Sequence, residues 1–183
     1  AEPSNKQFPR PPRRARARVR EPMTQAIQTL QTIEAHLIVN GQDWQGELPV
    51  EEVLLETLRQ RLGLTGTKRS CESEVCGACT VLVDGQPVSS CTYLSFEADG
   101  KQVTTVEGLA NGDQLDPLQE AFIRNVGAQC GYCTPGQLMA AKALLLRSPH
   151  PSYDQMSEWM SGNICRCGCY VAIAQSIFEA AEA

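Results

Sequence analysis

Nine cysteines, at positions 71, 76, 79, 91, 130, 133, 165, 167 and 169 of a 183-residue chain, are the residues whose type and spacing could do chemistry. Scattered buried thiols would explain isolated cysteines, but not nine gathered into tight groups beside glycines. A disulfide framework is disfavoured. No signal peptide is recognisable, the count is odd, and the density lies below the ~8–10% of disulfide scaffolds. Zinc is the serious rival, because Cys76-x-x-Cys79 and Cys130-x-x-Cys133 are each zinc-knuckle spacings. A four-cysteine zinc site would leave Cys71, Cys91 and the three cysteines at 165–169 without a role.

The first group reads Cys71-x4-Cys76-x2-Cys79, with Cys91 after eleven further residues. That is the plant-type spacing for a 2Fe–2S cluster, in which a wrapped loop supplies three thiolates and a more distant strand the fourth. The cluster is anionic, so it needs backbone N–H groups aimed at its sulfurs. Gly77, lying between two ligands, permits an approach that a Cβ would block. The second group is Cys130-x-x-Cys133 and Cys165-x-Cys167, 31 residues apart. Each pair precedes an expected helix, whose N-terminus would offer donors and a positive dipole end. Pro135 suits a first helical turn. This is a second four-thiolate site of iron–sulfur type.

The elements that must hold these groups follow from periodicity. Ala35, Leu37 and Val39 alternate, and Asn40-Gly41 turns the chain into a second strand near 43–50. Residues 51–63 carry Leu55, Leu58 and Leu62 at helical spacing, with acids in the first turn and Gly63 as a stop. "TVLVDGQPVSS" reads as two short strands around Asp84-Gly85, and "KQVTTV" (101–106) as a last strand. Strands and one helix within so short a stretch indicate a compact α+β unit. The loop 108–113 looks like a boundary. Beyond it four helices are expected, at roughly 115–125, 135–147, 153–161 and 170–182, forming a small bundle. The organisation expected is an arm over 1–33, helical over 23–33, an α+β domain over 34–108 and a helical domain over 114–183.

Composition excludes several classes. A hydrophobic share of 42% and a charged share of 20% fit a globular protein, and no apolar run approaches the ~20 residues of a membrane helix. The net charge of −5 hides an asymmetry: residues 1–21 hold Lys6 and six arginines against Glu2 and Glu21, leaving the remainder about −10. A basic arm suggests nucleic acid, but it lacks interleaved aromatics apart from Phe8, and the body offers no nucleic-acid motif. Docking on a partner protein is the preferred reading. Arg13-Arg14 is a twin arginine with no apolar stretch after it, so it is not read as an export signal. A cytoplasmic location is expected, with periplasmic export of a folded complex kept open.

"CESEVCGACTVLVDGQPVSSC", "QCGYCTPGQLMAAKALL" and "GNICRCGCY", in this order, resemble the small iron–sulfur subunit of the molybdenum hydroxylases, the family of xanthine, aldehyde and carbon monoxide dehydrogenases. The resemblance covers about residues 35–182. It implies a β-grasp, plant-type ferredoxin domain followed by a four-helix-bundle 2Fe–2S domain. It further implies an outer cluster on Cys71, Cys76, Cys79 and Cys91, and an inner one on Cys130, Cys133, Cys165 and Cys167. Gln129 matches the family glutamine that hydrogen-bonds the pterin, and Cys167 is similarly placed against it. The chain would then relay electrons from a large molybdopterin-binding subunit to FAD on a medium subunit, or to a cytochrome or other acceptor, with no catalytic residue of its own. A free-standing two-cluster ferredoxin is the alternative. Cys169 is the spare. The family's commonest form here is CRCTGY, so this chain lacks a threonine that could cap the next helix and carries a thiol where glycine usually lies. A shifted pairing of Cys167 with Cys169 stays open. His36, in a strand, and His150, between Pro149 and Pro151, have no partner constellation, and Trp44 and Trp159 read as packing residues.

Overall fold

The computed structural model describes residues 31–183; the basic arm and most of the helix expected over 23–33 lie outside them. The end of that helix is overturned. Thr32 and Ile33 already belong to strand β1 (Thr32–Val39), which pairs with β2 (Gln42–Pro49) across Asn40-Gly41. Both turn residues are left-handed, φ 51° and 77°, as a two-residue hairpin requires. Strands β3 (Thr80–Val83) and β4 (Gln86–Ser89) form the second hairpin, and β5 (Gln102–Thr104) closes the sheet in the order β2-β1-β5-β3-β4. β1 and β5 run parallel and the other pairs antiparallel. This is an α+β, ferredoxin-like arrangement.

The helix expected over 51–63 starts later and is wound differently. Helix α1 spans Leu54–Glu56 and continues as a π-helix over Thr57–Arg61. Glu52 stays outside it and reaches forward: its carboxylate accepts from Thr57 Oγ1 at 2.6 Å and from Arg61 Nε and Nη2 at 2.7 Å each. These bonds tie the chain before the helix to the turn that closes it. Leu54 and Leu58 pack on Leu37, Val39, Val81, Val83 and Val103, covering one face of the sheet.

Four helices follow the sheet: α2 (Pro117–Arg124), α3 (Thr134–Arg147), α4 (Tyr153–Met160) and α5 (Tyr170–Ala180). Asp116 and Ser152 cap α2 and α4 in reciprocal capping boxes with Gln119 and Gln155. Leu118, Phe122, Leu138, Leu144, Met156, Ile173 and Ile177 form their shared core. Strand alternation explains how this core joins the sheet. In β3 Val81 and Val83 face α1, so Leu82 faces the other way, where it meets Met139 and Ala143 of α3. Helix α3 therefore has apolar neighbours on two sides, and its residues from Gly136 to Ala141 are all buried. Trp159 packs there too and donates from Nε1 to Ala140 O at 2.9 Å, while Trp44 packs against the sheet core.

Candidate iron–sulfur sites

The loop between α1 and β3 is shaped by left-handed residues. Glu72, Glu74 and Gly77 have φ of 54°, 61° and 70°, and such alternation turns successive N–H groups toward one centre. The N–H groups of Ser73, then Val75 and Cys76, point at the Cys71 sulfur and bring its pKa down to about 6. The Cys71 thiol meets that of Cys76; the Cys79 thiol meets that of Cys91, with Cys76 close by. Burial pushes Cys79 up to about 12, with the neighbouring Cys91 and Cys76 adding to it. The structure thus brings the four thiols of the first group together, Cys71 and Cys76 half-exposed and Cys79 and Cys91 buried against Leu55 and Val53.

The second group assembles across two helix N-termini. Cys133 is the N-cap of α3, with Pro135 in its first turn, and Gly131 at φ 79° folds Cys130 back beside it. Cys130 meets Cys167, Cys133 meets Cys165, and Cys165 also lies near Cys130. The Tyr132 N–H, then the Cys167 thiol, hold Cys130 below its ordinary range. Burial, then Cys165, pushes Cys133 up to about 12. For Cys165 burial works upward, but the Cys169 N–H and the Cys133 thiol outweigh it and its pKa is lowered. Gln129 and Cys130 are exposed, Cys167 is half-buried, and Cys165 is 6% exposed.

All nine cysteines are free thiols. Cys76-Cys79 and Cys130-Cys133 fall into different sets, so the zinc pairing weighed above is not assembled. Among the described residues no three Cys, His, Asp or Glu side chains converge as one metal ion would need. A dinuclear cluster spreads its four thiolates around two irons, so the donor sets fit a 2Fe–2S group better than a single zinc.

Besides the approach expected toward a cluster, Gly77 makes room for the segment that leads into the second thiol set. A Cβ there would lie 2.4 Å from Asn163 Nδ2 and 2.7 Å from Gly162 O. Around it the two cysteine loops are stitched together. Ile164 N–H donates to Cys76 O at 2.9 Å, Asn163 Nδ2 to Gly77 O at 3.1 Å, and Gln137 Nε2 to Asn163 O at 2.9 Å. Tyr132 donates from its hydroxyl to Arg69 O. Gln137 and Asn163 are 1% and 8% exposed. Neither was singled out in the sequence; the available signal was a polar residue beside each cysteine pair with no surface role. His36 also differs from expectation, since its Nε2 lies 2.8 Å from Asp43 Oδ1. That contact is an exposed brace across the first hairpin, far from the thiols in sequence and unconnected to them.

Two family descriptions match: a 2Fe-2S iron-sulfur cluster binding domain over residues 37–110 and a [2Fe-2S] binding domain over residues 105–178. Fold and site together define an iron–sulfur protein made of two 2Fe–2S-binding domains. The chain is 43% identical over 160 residues to the aldehyde oxidoreductase iron-sulfur-binding subunit PaoA of Escherichia coli K12, covering 79% of this chain and 70% of that one. It is 40% identical over 162 residues to the aldehyde oxidoreductase of Megalodesulfovibrio gigas, covering 87% of this chain but 17% of the relative. Among solved structures, quinoline 2-oxidoreductase from Pseudomonas putida 86 superposes with a TM-score of 0.79 at 42% identity, over 83% of this chain and 95% of the matched chain. The chain belongs to the iron–sulfur subunits of the molybdenum hydroxylase family and serves electron transfer in an oxidoreductase complex.

Proposed function

We propose that the chain relays electrons between a large molybdopterin-binding subunit and an acceptor, FAD on a medium subunit or another, through an inner cluster on Cys130, Cys133, Cys165 and Cys167 and an outer one on Cys71, Cys76, Cys79 and Cys91. When bound, the two clusters supply one-electron storage. The observation that carries the reading is the Ile164 N–H···O=C Cys76 hydrogen bond of 2.9 Å. It links a residue adjacent to Cys165 with a backbone group of Cys76, so one short bonded path runs between the two sets. The other residues serve that path. Ser73, Val75 and Cys76 present N–H groups to the Cys71 sulfur. The α3 N-terminus stands at Cys133, and Gln137 and Asn163 lock the loops that carry the sets.

The domain division at 108–113 and a four-helix-bundle form for α2 to α5 belong to the same reading, as does a β-grasp description of the sheet part. Gln129 and Cys167 are assigned to the pterin side. Gln129 and Cys130 are exposed, and shortly before them in the chain Ile123 and Val126 are 67% and 68% exposed. An apolar surface beside a polar recognition residue is what a protein partner would cover. The M. gigas relative contains this whole region as 17% of one longer chain, which favours a permanently docked module over a free-standing ferredoxin. The arginines of residues 1–22 are assigned to docking on an acidic partner surface, and the cytoplasm, where thiols stay reduced until iron is inserted, to the place of assembly. No helix among the described residues is long and apolar enough to cross a membrane.

The test is purification of the native complex with quantitation of iron, sulfide and molybdopterin. Two distinct 2Fe–2S EPR signals and a stoichiometric molybdopterin subunit are expected. A chain that purifies alone, or that carries zinc, would refute the proposal. Removing residues 1–22 should weaken assembly, and more so at raised ionic strength; assembly insensitive to both would remove the arm from the proposal.

A further inference from the structure

We propose that Cys169, the one cysteine left outside both sets, is a positioning residue whose thiol donates a hydrogen bond to the Cys165 sulfur and so raises the reduction potential of the cluster that Cys165 holds. The inference rests on the ligand assignment proposed above. Gly168, at φ 75°, reverses the chain after Cys167 and returns Cys169 to Cys165. Cys169 occupies the N-cap position of α5 without making a side-chain capping bond, and its N–H donates to Cys165 Sγ at 3.4 Å. The two thiols are in hydrogen-bond contact with each other, and the Gln129 N–H points at the Cys169 sulfur. Cys169 and Cys165 are 7% and 6% exposed, so water does not compete strongly for either sulfur.

The direction of the bond follows from chemistry. A cysteine coordinated to iron has given up its proton, so in the Cys165–Cys169 pair only Cys169 has an S–H to donate. Accepting from Gln129 N–H polarises that S–H further. A donor at a ligand sulfur stabilises the reduced, more negative state of the cluster over the oxidised state, which raises the potential. The thiol is a weak donor, so the effect is small in size but confined to one cluster. The backbone N–H of residue 169 makes its own contact with Cys165, and a side-chain substitution leaves that contact in place.

The experiment is an EPR-monitored redox titration of the assembled complex carrying Cys169→Ala or Cys169→Ser. In Cys169→Ala one cluster should become harder to reduce while the other titrates as before. A roughly threefold fall in its reduced-to-oxidised ratio at fixed potential corresponds to about 28 mV at 59 mV per tenfold for one electron. Cys169→Ser, which keeps a donor of similar size, should return the midpoint to the parent value. Unchanged midpoints in Cys169→Ala would overturn the inference, as would equal shifts in Ala and Ser, which would mark a packing role. Loss of one cluster's signal in Cys169→Ala would overturn the ligand assignment itself, making Cys169 a ligand, and is distinguishable from both.

Discussion

Gly136→Ala separates two physical effects by the sign of its result. Gly136 lies in the first turn of α3, and alanine is the better helix former there by about 0.5–1 kcal/mol. Propensity alone therefore predicts a more stable protein. The tertiary structure predicts the reverse. A Cβ on Gly136 would stand 2.1 Å from Gly77 O, 3.0 Å from Gly77 C and 3.1 Å from Ala78 Cα. All three are backbone atoms, so no flexible side chain can swing away, and α3 and the Cys76–Ala78 loop must part by about 1 Å to restore contact distance. That movement falls on Ile164 N–H···O=C Cys76 and Asn163 Nδ2···O=C Gly77. Each is worth about 1 kcal/mol net, and overpacking adds about 1–3 kcal/mol. After the helix gain is subtracted, a loss of about 2–4 kcal/mol is expected.

The assay pairs thermal unfolding of the complex with single-turnover reduction, following the arrival of electrons at each cluster by freeze-quench EPR. Gly136→Ala should unfold earlier and pass electrons from one cluster to the other more slowly, with both cluster signals retained. Gly131→Ala is the control. Gly131 has φ 79° but nothing within 4 Å of a Cβ, so it carries backbone strain of about 1–2 kcal/mol without pushing the two loops apart. If Gly136→Ala is as stable as the parent, or if Gly131→Ala slows inter-cluster transfer equally, the stitched-loop reasoning fails.

Asn163→Ala removes a 3.1 Å bond to Gly77 O and a long 3.5 Å one to Thr80 Oγ1, while Gly77 O still accepts from Thr80 N and Thr80 Oγ1. The expected cost is therefore about 1 kcal/mol, read as a lower denaturant midpoint, and a loss above about 3 kcal/mol would mean an orphaned group has been overlooked. Glu52 is held below the ordinary glutamate value of 4.5, first by its hydrogen bonds to Arg61. Its contribution is complete above 4.5 and is lost as pH falls through the lower folded value. Glu52→Gln should cost about 1 kcal/mol near pH 7, with the difference from the parent closing as pH falls through the lowered Glu52 value; a difference independent of pH would exclude the ion pair as its source. Cys165→Ser should lose or alter one of the two EPR signals and leave the other, and retention of both would reverse the roles given to Cys165 and Cys169.

Both hairpins were legible because Asn40-Gly41 and Asp84-Gly85 carry turn chemistry that only the left-handed region satisfies. The four later helices were legible from caps, Pro135 and apolar stripes. Helix α1 was misread at its start because Glu51 and Glu52 look like first-turn acids, whereas Glu52 serves as a tether from outside, and no local pattern announces a π-helix. The strand over Thr32 and Ile33 was hidden because "MTQAIQTLQTI" favours a helix locally, while pairing with Leu48 and Pro49 decides the matter in the sheet.

The sequence by itself determined which side chains offer soft, thiolate ligand chemistry, because that is a property of residue type and close spacing, and nine cysteines in two tight groups point to clusters rather than to isolated thiols. Which thiols meet was decided only in three dimensions, where residues far apart in the chain are brought together: Cys79 with Cys91, Cys130 with Cys167, Cys133 with Cys165. The same holds for the junction between the sets. Gly136 and Asn163 carry no recognisable chemistry singly, and Gly77 by itself points only to a close approach within its own loop. They acquire a role because Leu82 turns outward from β3 and draws α3 onto the sheet, pressing one cysteine loop against the other.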